Sequence, residues 1–400
     1  MDTLIRAGML YPVTSQPIEN GWLLLSNGRI VRIGSGPAPR TDETIDLTGH
    51  LVMPGFVNAH CHLQFTAARG TMPSGDFIEW VRAAIAYSSN ISLDGMLRGV
   101  EEGVEELLAS GTTAVGDIAS HPAVAEKVTR SFMRTVVFAE TIAPDEKSGD
   151  PAWRRCLDLL NLVRNNGGQA GLAPHGPHTV APQYFAALFR YAHEQGIPIT
   201  SHVAESIEEK RFIASGDGPF RALMHNRGAL ADDFRGHGKS PVMLIQQQMA
   251  LRQLIAAHLN EVDDEDVAAL VAANAIPVFC PGSSRWFGRK KVMPLDRFFE
   301  AGLAPCLGTD SAASNGSLSM LDELRAARGY FGEIPLGRLI EAATINGARA
   351  LGLDCGAFEP GLWADISAYP LQNSLRLEAV LAAKEAVFVM VGGKVARNTA

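Results

Sequence analysis

Residues 51–355 alternate apolar, β-like runs with helical stretches, and the alternation repeats eight times. The runs begin near Val52, Thr113, Arg134, Gln169, Ile197, Leu254, Ile276 and Pro305. Helical stretches such as Leu93–Ala109, Pro182–Gln195 and Asp263–Ala273 lie between them. Eight β-then-α units match the arithmetic of an α/β TIM (β/α)8 barrel; a doubly wound open sheet is the other architecture with this alternation. The chain has 400 residues. That leaves room for a barrel of about 250 residues and a smaller unit beside it.

The flanks read differently. In residues 1–50, Trp22–Leu25 and Ile30–Ile33 flank Asn27-Gly28, a hairpin signal with a positive-φ turn. In residues 356–400, Ala386–Val391 runs into Gly392-Gly393 and Lys394-Val395 in the same way. Neither end can bury a core alone, so the two are expected to meet in one small β-sandwich. This predicts three zones: 1–50 and 356–400 as the two parts of the sandwich, and 51–355 as the barrel. Residues 206–250, after the fifth strand, are too many for an ordinary βα loop and are expected to cover the barrel mouth.

Composition narrows the function classes. Acidic residues number 43 against 35 basic ones, a formal charge of −8. That balance argues against nucleic acid or an anionic membrane surface as a partner. No stretch of about 18 apolar residues occurs, and MDTLIRAGMLYP lacks the basic and apolar regions of a signal peptide. Cys61, Cys156, Cys280, Cys306 and Cys355 are scattered without CxxC spacing. A reducing cytoplasm is therefore the simpler expectation than a disulfide framework or a thiolate zinc site.

The polar residues at strand ends carry the chemistry. His60 and His62 sit in Pro54-Gly55-Phe56-Val57-Asn58-Ala59-His60-Cys61-His62. On an extended chain they point the same way, so two neutral imidazoles can converge on one metal ion. His202 stops the fifth apolar run, His258 the sixth and Asp310 the eighth. Strand ends at the C-terminal mouth are where a barrel places its reactive groups. Taken singly, each also reads as a satisfied strand-end residue or cap. His50, His121, His193, His225 and His237 have no such placement and read as surface or loop histidines. The acidic run Glu261–Asp266 reads as a helix start whose carboxylates suit the helix dipole. Trp80 and Trp286 fit either a stacking surface or the core.

Together HxH, then His202-Val203-Ala204-Glu205, then a strand-end histidine, then Gly308-Thr309-Asp310-Ser311, resemble the amidohydrolase superfamily. The closer resemblance is to its branch of cytosine, guanine and adenosine-type deaminases and s-triazine chlorohydrolases. Thr344–Gly352 and Glu359-Pro360-Gly361-Leu362-Trp363-Ala364-Asp365 extend the match toward the C-terminus. The resemblance implies one divalent metal, zinc with iron or manganese as alternatives, on His60, His62, His202 and Asp310. It makes Glu205 the proton shuttle and His258 the partner of the attacking oxygen. No lysine occurs between positions 148 and 209, where two-metal relatives carry a bridging one, so a single ion is expected.

The implied reaction is hydrolytic deamination. A metal-activated water attacks a ring carbon bearing an amine, Asp310 takes a proton, and Glu205 protonates the ring nitrogen and then the departing ammonia. Local segments, Gly216–Phe220 and Cys280–Gly288, resemble aminodeoxyfutalosine-deaminase-like members, which implies an adenine-type nucleoside bearing a benzoate. Arg285 then reads as a fork for that carboxylate, or as a solvated cation beside Arg289, Lys290 and Lys291. The resemblance places His175 against the substrate ring and His178 in the pocket. Gln64 reads as a pocket residue or a helix-start polar group. The same metal site serves methylthioadenosine or S-adenosylhomocysteine, guanine, or a chlorinated triazine; a non-catalytic barrel scaffold is the reading from another class. Dimers are common in such families, so a small-molecule substrate and a homodimer complete the expectation.

Overall fold

The computed structural model describes residues 2–230, 233–371 and 377–400. Residues 231–232, within the expected mouth cover, and 372–376, within the expected C-terminal zone, lie outside it. Strands β1 (Asp2–Leu10), β2 (Ile18–Glu19), β3 (Gly21–Ser26), β4 (Arg29–Ser35) and β5 (Glu43–Pro54) open the chain. The β3–β4 hairpin closes on Asn27 and Gly28, with φ of 50° and 74°, and pairs Leu25 with Ile30. Alternate residues of these strands, among them Ile5, Leu23, Leu25 and Val52, bury together with Phe358, Ile366 and Phe388 from the other end of the chain.

Eight parallel strands follow. They are β6 (Phe56–Cys61), β7 (Thr112–Ala119), β8 (Arg134–Thr141), β9 (Gln169–Pro174), β10 (Thr200–Val203), β11 (Ile255–His258), β12 (Ile276–Phe279) and β13 (Cys306–Leu307). They form two four-stranded sheets in chain order, β6 to β9 and β10 to β13. Single parallel bridges join the sheets at both seams, Leu172 to Ile199 and Cys61 to Asp310. β7 is buried along its whole length, as a strand covered on both faces must be. The run expected to begin near Val52 resolves into two strands. β5 ends at Pro54 in the terminal sheet, and β6 starts at Phe56 in the parallel one. Gly55 makes this change of sheet, because a Cβ there would lie 2.2 Å from Thr113 Oγ1.

Helices intervene between the strands: α1 (Phe77–Asn90), α2 (Leu93–Ala109), α3 (Pro122–Thr129), α4 (Glu146–Asn165) and α5 (Pro182–Gln195). Asp76 caps α1 through Ile78 and Glu79 N–H, and Ser92 caps α2 through Gly95 N–H. After β10 the chain makes α6 (Ile207–Ser215), α7 (Pro219–Asn226) and α8 (Pro241–Gln247). Phe212, Phe220, Met224 and Leu244 of these helices pack against Phe77 and Phe287. The remaining βα units supply α9 (Asp264–Ala272), α10 (Pro281–Trp286), α11 (Leu295–Glu300), α12 (Ala312–Asn315) and α13 (Met320–Tyr330). Asp263 caps α9, so the acidic run is its charged first turn.

Strands β14 (Ile366–Pro370), β15 (Phe388–Val391) and β16 (Lys394–Asn398) return to the terminal sheet. β5 joins the two chain ends: β1 lies parallel on one side of it and β14 antiparallel on the other, with Val52 opposite Ala368. The parallel strands are anchored to this sheet by a bidentate pair. Arg134 of β8 donates from Nε to Asp365 Oδ2 at 2.8 Å and from its terminal nitrogen to Oδ1 at 3.0 Å. Gly392 N–H also donates to Oδ1, at 2.7 Å, and the Asp365 side chain is fully buried. Asp365→Ala leaves a mostly buried guanidinium without its carboxylate. It should lower stability by about 3–5 kcal/mol, read from urea midpoints.

Candidate functional site

Each histidine of the expected set stands where its strand ends. His60 is the next-to-last residue of β6, with His62 two residues on and the ring pair at a centroid distance of 5.1 Å. His202 lies in β10, and His258 is the last residue of β11. Asp310 follows β13 by three residues, and its N–H donates to His60 O at 3.0 Å. That contact requires Gly308, since a Cβ there would lie 2.8 Å from the His60 Cβ. Asn58 clamps the same seam: its amide donates to Thr309 Oγ1 at 2.7 Å, and its carbonyl accepts from Thr309 N–H at 3.1 Å. Ala204, His258 and Asp310 all hold left-handed φ values of 50°, 76° and 57°. Strained backbone of this kind at a cluster of polar side chains is a mark of a functional site.

The five side chains converge. One ligand atom from each of His60, His202, His258 and Asp310 lies within 4.8 Å of the others. His62 Nε2 is 3.1 Å from His202 Nε2 and 3.7 Å from Asp310 Oδ1. His202 Nδ1 sits 2.7 Å from His175 O. A carbonyl only accepts, so Nδ1 carries the proton and Nε2 presents its lone pair. Both ring nitrogens of His60, Nδ1 of His62 and Nε2 of His258 are buried without a hydrogen-bond partner. Burial, and then the neighbouring imidazoles, hold His60 and His62 well below the usual histidine range. Burial likewise pushes His258 down to about 3. Neutral imidazoles are the form that binds metal, and buried lone pairs facing one another beside a carboxylate need a cation. The donor set fits one divalent ion.

Asp310 is oriented for this. Ser283 Oγ and Ser314 Oγ donate to its Oδ2 at 3.0 Å and 2.7 Å, which leaves Oδ1 toward His60 and His62. Glu323 braces α10 and α12, the short helices that carry these serines. It accepts from Gly282 N–H at 2.9 Å and from the Asn315 amide at 2.6 Å.

Glu205 is 8% exposed, with Oε2 3.8 Å from His258 Nε2. Burial raises its carboxyl to about 8, against the downward pull of Arg289. Its backbone is fixed on both sides: its N–H donates to Glu209 Oε2 at 2.7 Å, and its carbonyl accepts from Asn260 at 3.1 Å. His175 lies beside the cluster, its ring 4.7 Å from that of His202, and Nδ1 contacts Thr179 Oγ1 at 2.8 Å. His178 is buried 5.5 Å beyond His175, and its ring stands 4.9 Å from Phe220 of α7. Gln64 is buried as the second residue of the short 3-10 helix Leu63–Ala68, with its carbonyl accepting from Ser120 Oγ at 3.0 Å. Arg285 is exposed on α10 and is not drawn into the cluster.

Sequence reasoning passed over three kinds of residue here: Ser283 and Ser314, Glu323, and Arg289. The serines carried a signal, since Ser314 lies one helical turn after Asp310. Arg289 stood in a basic run where nothing marked it out from its neighbours. Trp80 packs on Phe77 and donates to Ala313 O at 2.9 Å, and half-buried Trp286 donates to Pro73 O at 3.3 Å. The five other histidines lie outside the cluster.

A family model for the amidohydrolase family matches residues 51–396. Among curated proteins, the 5-methylthioadenosine/S-adenosylhomocysteine deaminase of Halobacterium salinarum is 31% identical over 388 residues, covering 92% of this chain and 84% of the relative. Among solved structures, the Helicobacter pylori aminofutalosine deaminase in complex with methylthio-coformycin superposes with a TM-score of 0.87 at 24% identity, covering 98% of this chain and 99% of that one. A Xanthomonas campestris adenosine deaminase with bound zinc gives 0.85 at 24% identity, covering 100% of this chain and 93% of that one. The two structures share the fold of this chain. The chain is a hydrolytic enzyme acting on carbon–nitrogen bonds and belongs to the amidohydrolase family.

Proposed function

We propose that this amidohydrolase deaminates an adenine-type nucleoside, with His60, His62, His202 and Asp310 holding one zinc ion. The observation that carries the reading is the convergence of the His60, His62 and His202 imidazoles with one Asp310 carboxylate oxygen, His62 Nε2 lying 3.1 Å from His202 Nε2, and Glu205 beside His258 at 3.8 Å. An ion held there would polarise a water molecule and lower its pKa toward neutrality. The remaining tasks fall to the chain's own groups. Asp310 accepts the water's proton. Glu205, raised to about 8, can hold and release a proton near neutrality, so it protonates the ring nitrogen and then the leaving amine. His258 faces the attacking oxygen and stabilises charge on it. Water adds at the aminated carbon, the C–N bond breaks, and ammonia leaves with an oxo group in its place. Gln64, His175 and His178 contribute the substrate side.

Two substrate types share this chemistry. The curated relatives favour methylthioadenosine or S-adenosylhomocysteine, whereas the likeness of Gly216–Phe220 and Cys280–Gly288 favours aminodeoxyfutalosine. The same reading includes a closed (β/α)8 barrel over 51–355, supported by the two seam bridges, and a small sandwich from 1–50 and 356–400, supported by their shared core. It also includes a cytoplasmic homodimer. Purified enzyme should release ammonia from these nucleosides and carry about one equivalent of zinc. Guanine as the only deaminated compound, or chloride release from a chlorotriazine without nucleoside turnover, would overturn the substrate assignment.

A further inference from the structure

Arg289 occupies a built position above the cluster. Its side chain is 10% exposed, and a terminal nitrogen donates to Glu205 Oε1 at 3.1 Å. The guanidinium carbon lies 4.9 Å from the Phe77 ring centroid and 5.0 Å from that of Phe287. Those two rings meet edge to face at 5.2 Å, and Phe77 stacks on Trp80 at 6.1 Å. The cation therefore sits in an aromatic corner built from α1 and the turn after α10. Arg289 N–H donates to Ser284 O at 2.9 Å, which fixes the root of the side chain. Its neighbours in the basic run are placed otherwise: Arg285 and Lys290 are exposed, and Lys291 donates to Val262 O at 2.6 Å.

The Glu205 carboxylate depends on this contact. Its backbone is held by Glu209 and Asn260, but neither touches the carboxylate. Pairing Oε1 with Arg289 leaves Oε2 toward His258, 3.8 Å away. We propose that Arg289 is a positioning residue for Glu205: clamped between Phe77 and Phe287, it fixes the carboxylate in the rotamer that faces the metal cluster. The role rests on the reading of Glu205 as the proton shuttle. An arginine suits it better than a lysine, because a planar cation can lie against the aromatic corner while its in-plane N–H groups stay free to donate to the carboxylate.

The test compares Arg289→Met and Arg289→Lys with the wild-type metal-loaded enzyme. Arg289→Met should keep metal content and melting temperature, lose about 10- to 100-fold in kcat with KM little changed, and recover in part with added guanidinium ion. Arg289→Lys should fall between. A crystal structure of Arg289→Met should show the Glu205 carboxylate turned from His258. Unchanged kcat, a rise in KM alone, or no rescue by guanidinium would overturn the role. Should the wild type deaminate no nucleoside, the substrate reading fails separately. The Glu205 orientation in the Arg289→Met crystal then decides this proposal, and an unmoved carboxylate ends it.

Discussion

Asp310→Asn should bind divalent metal far more weakly than the wild type and lose about 10³-fold or more in kcat. The magnitude follows from several kcal/mol of charge stabilisation at about 1.4 kcal/mol per decade of rate. Asparagine fills the same volume and can still meet Ser283 and Ser314, so the loops around it should hold. What it lacks is the negative charge of Oδ1, which faces His60 and His62 at 3.8 Å and 3.7 Å. It also lacks a site for the water's proton. Elemental analysis with titration of added zinc reads the first loss, and ammonia release reads the second. Full activity with normal metal content would remove Asp310 from both roles.

Glu205→Gln separates proton transfer from metal binding. The amide keeps the shape of the side chain, and Glu205 makes no direct contact with His60, His62 or Asp310 among the described residues. Metal content should therefore stay at the wild-type level. Turnover should fall by about 10²- to 10⁴-fold, the usual worth of a positioned acid–base group. The amide cannot transfer a proton to the ring nitrogen, and its NH2 would face Arg289 as donor against donor in one of its two orientations. Measured kcat with KM little altered is the expected pattern. Wild-type kcat in this variant would end the shuttle assignment.

The legible part of the fold was periodic or local. Leu93–Ala109 and Pro182–Gln195 form helices over those bounds, and the Asn27-Gly28 hairpin closes at that turn. Hydrophobic period and positive-φ turn chemistry act within a few residues, so they survive in a one-dimensional reading. The first parallel strand was misjudged by four residues at its start. Pro54-Gly55 interrupts the apolar run Leu51–Val57, but whether that break is a bend within one strand or a change of sheet is decided by tertiary packing, where a Gly55 Cβ would collide with Thr113. The segment 206–250 lacked strand signals because its described residues form three helices and the turns between them, and its packing on Phe77 and Phe287 pairs residues far apart in the chain.

The site divides along the same line. The residue types and their order, His60 and His62, then His202 and Glu205, then His258, then Asp310, were present in the chain itself. Donors for a metal must be imidazole or carboxylate, and such groups stand out at the ends of apolar runs. Tertiary structure alone decided that Oδ2 of Asp310 is taken by two hydroxyls and Oδ1 is spared. It alone decided which of four neighbouring cations reaches Glu205, since Arg289 finds its aromatic corner and Arg285 points to solvent. Chemical identity is a property of each residue, whereas orientation and charge pairing depend on which distant groups packing brings within a few ångströms.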